Sequence, residues 1–231
     1  AFALLAAQCE ADEFCGKNND PIADFDRAKA VLQENGAIAP DIFAEKIRSL
    51  MYQPASARLI PQILNRAAAG DLAPFMAATK PSGPSPFADG MFLSVTCSEG
   101  LALMDYDASA RAARRTRFGD YRLRRQRAAC AVWPTGDTGE FLRPIKTSAA
   151  ILMVSGGLDP VTPPAWADAL TTSLPRARHI VIPASGHIFH GLSGIDTCLD
   201  PLMVEFLEDG DPQSIDPSCL ATMQPPAFAT K

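Results

Sequence analysis

The chain has no run of 18 apolar residues, so no membrane-spanning helix and no membrane insertion are expected. It has no excess of basic charge. Its 21 lysines and arginines face 26 acidic residues, for a formal net charge of -5. No broad positive field exists to recruit nucleic acid or an anionic membrane. It has only three histidines and no C-x-x-C pair, which leaves a zinc site short of ligands. It opens on "AFALLAAQCE", with neither an initiator methionine nor a basic start. This stretch does not read as an intact signal peptide. It reads as a chain already in progress: a mature form, a processed piece or a fragment.

What is present is ordinary globular composition. Of the 231 residues, 47% are apolar and 20% charged. That supports one large domain or two smaller ones with a real core, and does not suggest disorder. One segment departs from the average. "RAARRTRFGDYRLRRQR", Arg111 to Arg127, carries eight arginines. Alone it could be a phosphate or RNA patch. On a neutral-to-acidic chain it reads better as an arginine-rich amphipathic helix or loop.

The six cysteines are Cys9, Cys15, Cys97, Cys130, Cys198 and Cys219. An even count spread along the chain suits three disulfides and an oxidising compartment, secreted or periplasmic. Six buried free thiols are the other reading. Fifteen complete pairings are possible, so the connectivity stays open at this point.

Residues 1–80 look helical. "DPIADFDRAKAVLQENG" begins at Asp-Pro and ends at Asn-Gly, both plausible helix boundaries. Ile42, Phe43, Ile47, Leu50 and Met51 recur at helical spacing, as do Leu59, Ile60, Ile63 and Leu64 before Gly70. Pro61 then belongs in a first turn. Helices without strands suit a small subdomain or a lid. "KPSGPSPFADG", Lys80 to Gly90, is a linker or long loop. Met91 to Cys97 is a short apolar, partly β-branched run and is expected to be a buried strand. Residues 101–129 are helical or irregular, and "CAVWPTGDTGEFLRP" is loop-like.

The last third is the clearest. "AAILMVSGG" is a continuous apolar strand of the kind buried on both faces of a parallel sheet. "PPAWADALTTSL" is a helix with Pro163 and Pro164 at its start, "RHIVIP" a second strand, and "CLDPLMVEFLEDG" a final helix closed by Gly210. Strand, helix, strand, helix argues for an α/β sheet. Three strands are too few to finish a doubly wound sheet, so the remainder is expected from elsewhere.

Asp159 lies just beyond the carboxyl end of the first of these two strands, and His187 just beyond the second. Loops at that edge of an open α/β sheet converge on the active site. A catalytic imidazole needs an anion on Nδ1 to fix its tautomer and stabilise the imidazolium. Gly156 and Gly157 allow a tight turn before the acid, Pro160, Pro163 and Pro164 stiffen its loop, and Gly186 lets the backbone bend before His187. The plain readings are a turn-bracing Asp159 and a surface His187. His179, at the start of the second strand, reads as structural. His190 could line the same pocket. A metal set of His187, His190 and Asp196 lacks further ligands.

No nucleophile accompanies them. In hydrolases of this architecture the serine sits in G-x-S-x-G, in the order Ser, acid, His. The nearest string, "GLSGI" from Gly191 to Ile195, lacks the last glycine, follows no strand and comes after the histidine. Cys97 follows an expected strand, and a Cys–His–Asp order is conceivable, but the cysteine census favours disulfide pairing.

"ILMVSGGLDPVTPPAWADAL" followed by "VIPASGH" resembles the carboxy-terminal part of the α/β-hydrolases related to tripeptidyl aminopeptidases and proline iminopeptidases. "CEADEFC" and the helices after it are similar to that family's cap, and "SVTCSEG" to its strand beyond the cap. "RRQRAACAVWP" is similar to its Cys-x-x-Trp segment, and "CLDPLMVEFLEDG" with "SIDPSCL" to its closing helix and tail. The resemblance implies a helical cap over 1–80 and the C-terminal part of an α/β-hydrolase core over 81–231. It implies Asp159 as triad acid, His187 as triad base, and disulfides Cys9–Cys15, Cys97–Cys130 and Cys198–Cys219. It places the serine, its strands and the oxyanion hole in an N-terminal segment or chain of the same precursor, before Ala1. Glu99 is then a candidate for holding a substrate's α-amine, with a salt bridge to the arginine segment as its plain alternative. The family often has a glycine soon after its histidine. Here Ile188, Phe189 and His190 come first, so the pocket rim is expected to differ.

The activity implied is acyl transfer to water, with a small peptide as substrate and N-terminal residues or short peptides as products. No cofactor is needed. This chain alone is expected to be inactive. A carboxylesterase with the same triad and a non-catalytic secreted α/β binding protein are the alternatives.

Overall fold

The computed structural model describes residues 1–81, 88–138 and 145–229. Most of the expected linker Lys80–Gly90, and the end of the expected loop at residues 139–144, lie outside the described residues.

The N-terminal region is helical, as its periodicity requires. It comprises α1 (Phe2–Ala11), α2 (Glu13–Asn18), α3 (Pro21–Asn35), α4 (Pro40–Leu50), the single turn α5 (Pro54–Ala57), α6 (Ile60–Ala68) and α7 (Ala73–Thr79). The boundaries have local causes. The Asp20 carboxylate accepts a hydrogen bond from Ala23 N–H, Pro21 opens α3, and Gly36 closes it at a φ of 66°, a left-handed conformation that a side chain would resist. Pro61 stands in the first turn of α6, where its missing N–H costs nothing. The striped faces meet in one core. Phe25, Phe43, Ile47, Ile60 and Leu64 are fully buried within it. Phe43 and Phe75 stack at 4.7 Å, and Phe25 lies 5.2 Å from Phe118, which the arginine-rich segment inserts into this core. Cys9–Cys15 ties α1 to α2.

Met91–Cys97 is not a strand. It forms α8 (Asp89–Val95) and runs into a π-helical turn, Thr96–Gly100. A short apolar run is ambiguous between strand and helix by periodicity alone. A strand must find a ladder partner for its backbone groups, whereas a helix satisfies them locally. Among the described residues, tertiary contacts favour the helix. Cys97 is bonded to Cys130, Trp133 Nε1 donates to Ser94 Oγ at 3.1 Å, and Met91, Phe92 and Val95 are exposed rather than buried.

Two charged helices follow, α9 (Tyr106–Arg114) and α10 (Tyr121–Cys130). Their arginines dock on acids of the N-terminal helices. Arg117 pairs with Asp26, Arg124 with Asp41 and Arg122 with Glu45, while Asp120 holds Arg114 and Arg124. The cationic segment therefore serves as an internal fastening.

The α/β part consists of β1 (Ile151–Gly156), α11 (Pro164–Thr171), β2 (Ala177–Ile182) and α12 (Asp200–Asp209), followed by a 3-10 segment, Pro217–Thr222. β1 and β2 pair in parallel from Ile151 opposite Ala177 to Gly156 opposite Ile182. Among the described residues these two strands are the whole sheet. Ile151 to Ser155 are consequently half-buried rather than covered on both faces. A second core lies between β2, α12 and the tail, with Ile180, Ile182, Leu199, Leu202 and Leu220 buried. Cys198–Cys219 staples it. Gly210 ends α12 at a φ of 66°. Apolar side chains remain exposed on the outer faces: Trp166 and Leu170 on α11, Met203, Val204 and Leu207 on α12. All three disulfides have the pairing that the resemblance implies. No helix among the described residues is long and apolar enough to cross a membrane.

Candidate active site

The parallel register carries the loops after β1 and β2 to the same edge of the sheet. There the Asp159 Oδ2 atom lies 2.9 Å from His187 Nδ1. Asp159 is only 6% exposed and depends on its partners for solvation. Oδ1 accepts from Val161 N–H at 2.7 Å and Thr162 N–H at 2.9 Å, and Oδ2 accepts from the Thr162 hydroxyl at 2.8 Å. Burial alone would raise the Asp159 pKa. The hydrogen bonds from His187, the Thr162 and Val161 amides and the Thr162 hydroxyl outweigh it and hold the carboxyl below its ordinary value. An ionised carboxylate only accepts, so Nδ1 of His187 is the donor, and in the neutral imidazole Nε2 carries the free lone pair. Among the described residues Nε2 has no hydrogen-bond partner, and the imidazole is 35% exposed.

The glycines around the pair serve close approach rather than unusual torsion. A β-carbon on Gly156 would fall 2.0 Å from the Gly186 carbonyl oxygen, and one on Gly157 2.7 Å from that of Pro183. Neither they nor Gly186 has a positive φ. The acid loop and the histidine loop thus lie backbone against backbone, which sets the reach from Asp159 to His187.

The remaining expected residues separate. His190 is exposed and makes no hydrogen bond or ion pair among the described residues, so nothing joins it to the pair. Glu99 is half-buried on the π-helical turn and forms no ion pair among the described residues. The salt bridge expected as its plain alternative is absent among the described residues; five of the eight arginines meet Asp26, Asp41 and Glu45, Asp120, or the Tyr106 ring, over which Arg127 lies at 4.3 Å. Among the described residues no group of three His, Cys, Asp or Glu side chains is arranged to hold a metal ion.

His179 belongs to a second hydrogen-bonded triplet. Its Nδ1 lies 2.7 Å from Asp168 Oδ1 and its Nε2 2.9 Å from Ser155 Oγ. The spacing imitates a catalytic triad. However, Ser155 is an interior β1 residue opposite Val181, and the imidazole is 4% exposed, which denies a substrate carbonyl access. The triplet clasps α11 to both strands, consistent with a structural His179.

Sequence reasoning did not identify Thr162 or Tyr52. Thr162 stands three residues after Asp159 in "LDPVTPP", an offset that is a side-chain capping pattern. Tyr52, immediately after α4, stands edge-on to His187 with ring centroids 5.6 Å apart. No spacing rule marks it.

Among the described residues the two parallel strands, with an acid loop and an imidazole loop at one edge, form a small α/β arrangement. Residues 115–219, from the arginine-rich segment through Asp159 and His187 to Cys219, match the family model described as TAP-like protein. No curated protein and no solved structure matches the chain.

Proposed function

We propose that the chain is the acid–base portion of a serine hydrolase that releases N-terminal residues or short peptides. Its serine comes from an N-terminal segment or chain of the same precursor. The observation that carries the reading is the Asp159–His187 contact of 2.9 Å, at the carboxyl edge of a parallel strand pair, within the segment matching the TAP-like model. The serine attacks an amide carbonyl while His187 Nε2 removes its proton. His187 then delivers that proton to the leaving amine, and water repeats the sequence to free the acid. Asp159 holds the imidazole in the required tautomer and stabilises its cationic form. The exposed apolar faces of α11 and α12 and the half-buried β1 support the remainder of the sheet being supplied outside these residues. Glu99, without an ion pair among the described residues, is the candidate for a substrate's α-ammonium group. The three disulfides support a secreted or periplasmic location.

The test uses the protein expressed from its complete gene. Aminoacyl amides, amino-blocked peptides and short acyl esters are assayed in parallel, with labelling by a serine-directed fluorophosphonate. Hydrolysis of free-amine substrates, lost in His187→Gln, is expected. Activity confined to esters would make it a carboxylesterase. Absence of both turnover and labelling would leave a non-catalytic binding protein.

A further inference from the structure

We infer that Tyr52 is a positioning residue for His187: its main-chain carbonyl and its ring, held by Arg48, fix the imidazole from the N-terminal helical region. The inference rests on the reading of His187 as the base. Ile188 N–H donates to the Tyr52 carbonyl oxygen at 2.8 Å, so the residue after the histidine is bonded to the segment that follows α4. The residue before it is equally close. A β-carbon on Gly186 would fall 2.6 Å from the Tyr52 carbonyl oxygen and 2.7 Å from that of Met51. His187 is therefore flanked on both sides by backbone contacts to one short stretch. The Tyr52 ring then meets the imidazole at an interplanar angle of 71°. Asp159 and Tyr52 divide the work. The carboxylate fixes Nδ1, while Tyr52 restricts the backbone and the ring plane on which Nε2 depends.

The tyrosine is itself held. Its hydroxyl oxygen accepts from Arg48 Nη1 at 3.0 Å, and the guanidinium lies 5.2 Å from the ring centroid. Glu45 grips Arg48 with both carboxylate oxygens, at 2.9 and 2.6 Å. Glu45 also accepts from Arg122 Nη1 at 2.9 Å. The line Arg122, Glu45, Arg48, Tyr52 thus connects α10 to the imidazole, from an exposed Arg122 through the partly buried Glu45 and Arg48. Burial alone would lower the Arg48 pKa, but its bonds to Glu45 and Tyr52 raise it above the ordinary arginine value. Burial alone would raise that of Glu45, but Arg48 and Arg122 bring it below the ordinary glutamate value. The network stays charged across the pH range in which a histidine base works. Position matters at such a site because small misplacement of a reacting group costs up to about 100-fold in rate.

The experiment uses the complete gene product labelled with 13C at histidine Cε1. Only three histidine signals arise from this chain, and His187 is assigned by its loss in His187→Gln. Tyr52→Leu is expected to move the His187 signal while leaving those of His179 and His190 in place. In turnover it lowers kcat about 10-fold with KM within about twofold, and Tyr52→Phe, which keeps the ring, restores kcat to within about threefold. Arg48→Met, a second route if Tyr52→Leu does not fold, is expected to move the His187 signal in the same direction by less. An unmoved His187 signal in Tyr52→Leu, or in Arg48→Met where the leucine variant does not fold, overturns the inference. So does unchanged kcat in a Tyr52→Leu protein that His187→Gln inactivates, which spares the reading of the base. Retained activity in His187→Gln removes both.

Discussion

Gly186 leaves no space for a β-carbon between itself and Tyr52: one would lie 2.6 Å from the Tyr52 carbonyl oxygen. This contact seats the histidine loop on the segment following α4. The neighbouring main-chain hydrogen bond, Ile188 N–H to the same oxygen, is 2.8 Å long. Backbone cannot yield as a flexible side chain can. Gly186→Ala is expected to cost about 1–3 kcal/mol, measured by urea unfolding, because an extra carbon must displace two carbonyl groups. Gly100→Ala, where a β-carbon meets nothing within 4 Å, is the control and should lie within about 0.5 kcal/mol of the parent.

Asp159→Asn keeps the shape of the side chain and removes the charge that pairs with His187. On the proposed function, kcat of the complete gene product should fall roughly 10,000-fold, because the amide favours the wrong imidazole tautomer and does not stabilise its cation. Activity within tenfold of the parent would show that Asp159 is not the triad acid.

The same carboxylate makes an acid-sensitive contribution to stability. Its folded pKa is depressed by its hydrogen bonds. Its stabilisation is therefore fully present above the unfolded aspartate value of about 3.9 and lost as pH falls through the lower folded value. Relative to Asp159→Asn, the parent should lose stability as pH is lowered below about 4, with no such differential change between pH 6 and 8. Thermal unfolding followed across that range measures it.

The ion pairs joining the arginine-rich segment to the N-terminal helices should not contribute equally. Glu45 and Arg48 are 23% and 15% exposed, and Glu45 serves two guanidinium groups. Glu45→Gln should cost about 1–3 kcal/mol, since it strips the partly buried Arg48 of its carboxylate partner. Asp26 and Arg117 are far more exposed, so Asp26→Asn should cost under about 1 kcal/mol. Equal losses in denaturant unfolding would argue against this ranking.

The disulfides should rank by the length of chain they close. The separations are 6 residues for Cys9–Cys15, 21 for Cys198–Cys219 and 33 for Cys97–Cys130. Loop-closure entropy gives about 2, 3 and 4 kcal/mol respectively. Paired Cys→Ser variants, each compared by urea midpoint under non-reducing conditions, test both the order and the connectivity.

The local pattern carried much of the fold. The stripes of α4 and α6, the Asp20–Pro21 start and Gly36 end of α3, the succession β1, α11, β2, α12 and the Gly210 stop all follow from interactions within a few residues. The positions of Asp159 and His187 were legible for the same reason: each follows the end of an apolar strand, and parallel strands bring such ends to one edge. The cysteine count pointed to three bridges, while the pairing needed the family resemblance.

What only the tertiary structure decided depends on neighbours that no local pattern names. Met91–Cys97 is helical because its partners are Trp133 and Cys130 rather than another strand. Gly156, Gly157 and Gly186 are small because two loops and the segment after α4 touch through their backbones, which a torsion argument does not reveal. The arginines find Asp26, Asp41 and Glu45 instead of Glu99. Tyr52 meets His187 across more than half the chain. Periodicity and capping are written in nearest-neighbour geometry and survive reading one residue at a time. Contacts between distant segments exist only after packing has chosen which surfaces meet, and the setting of the imidazole is one of those choices.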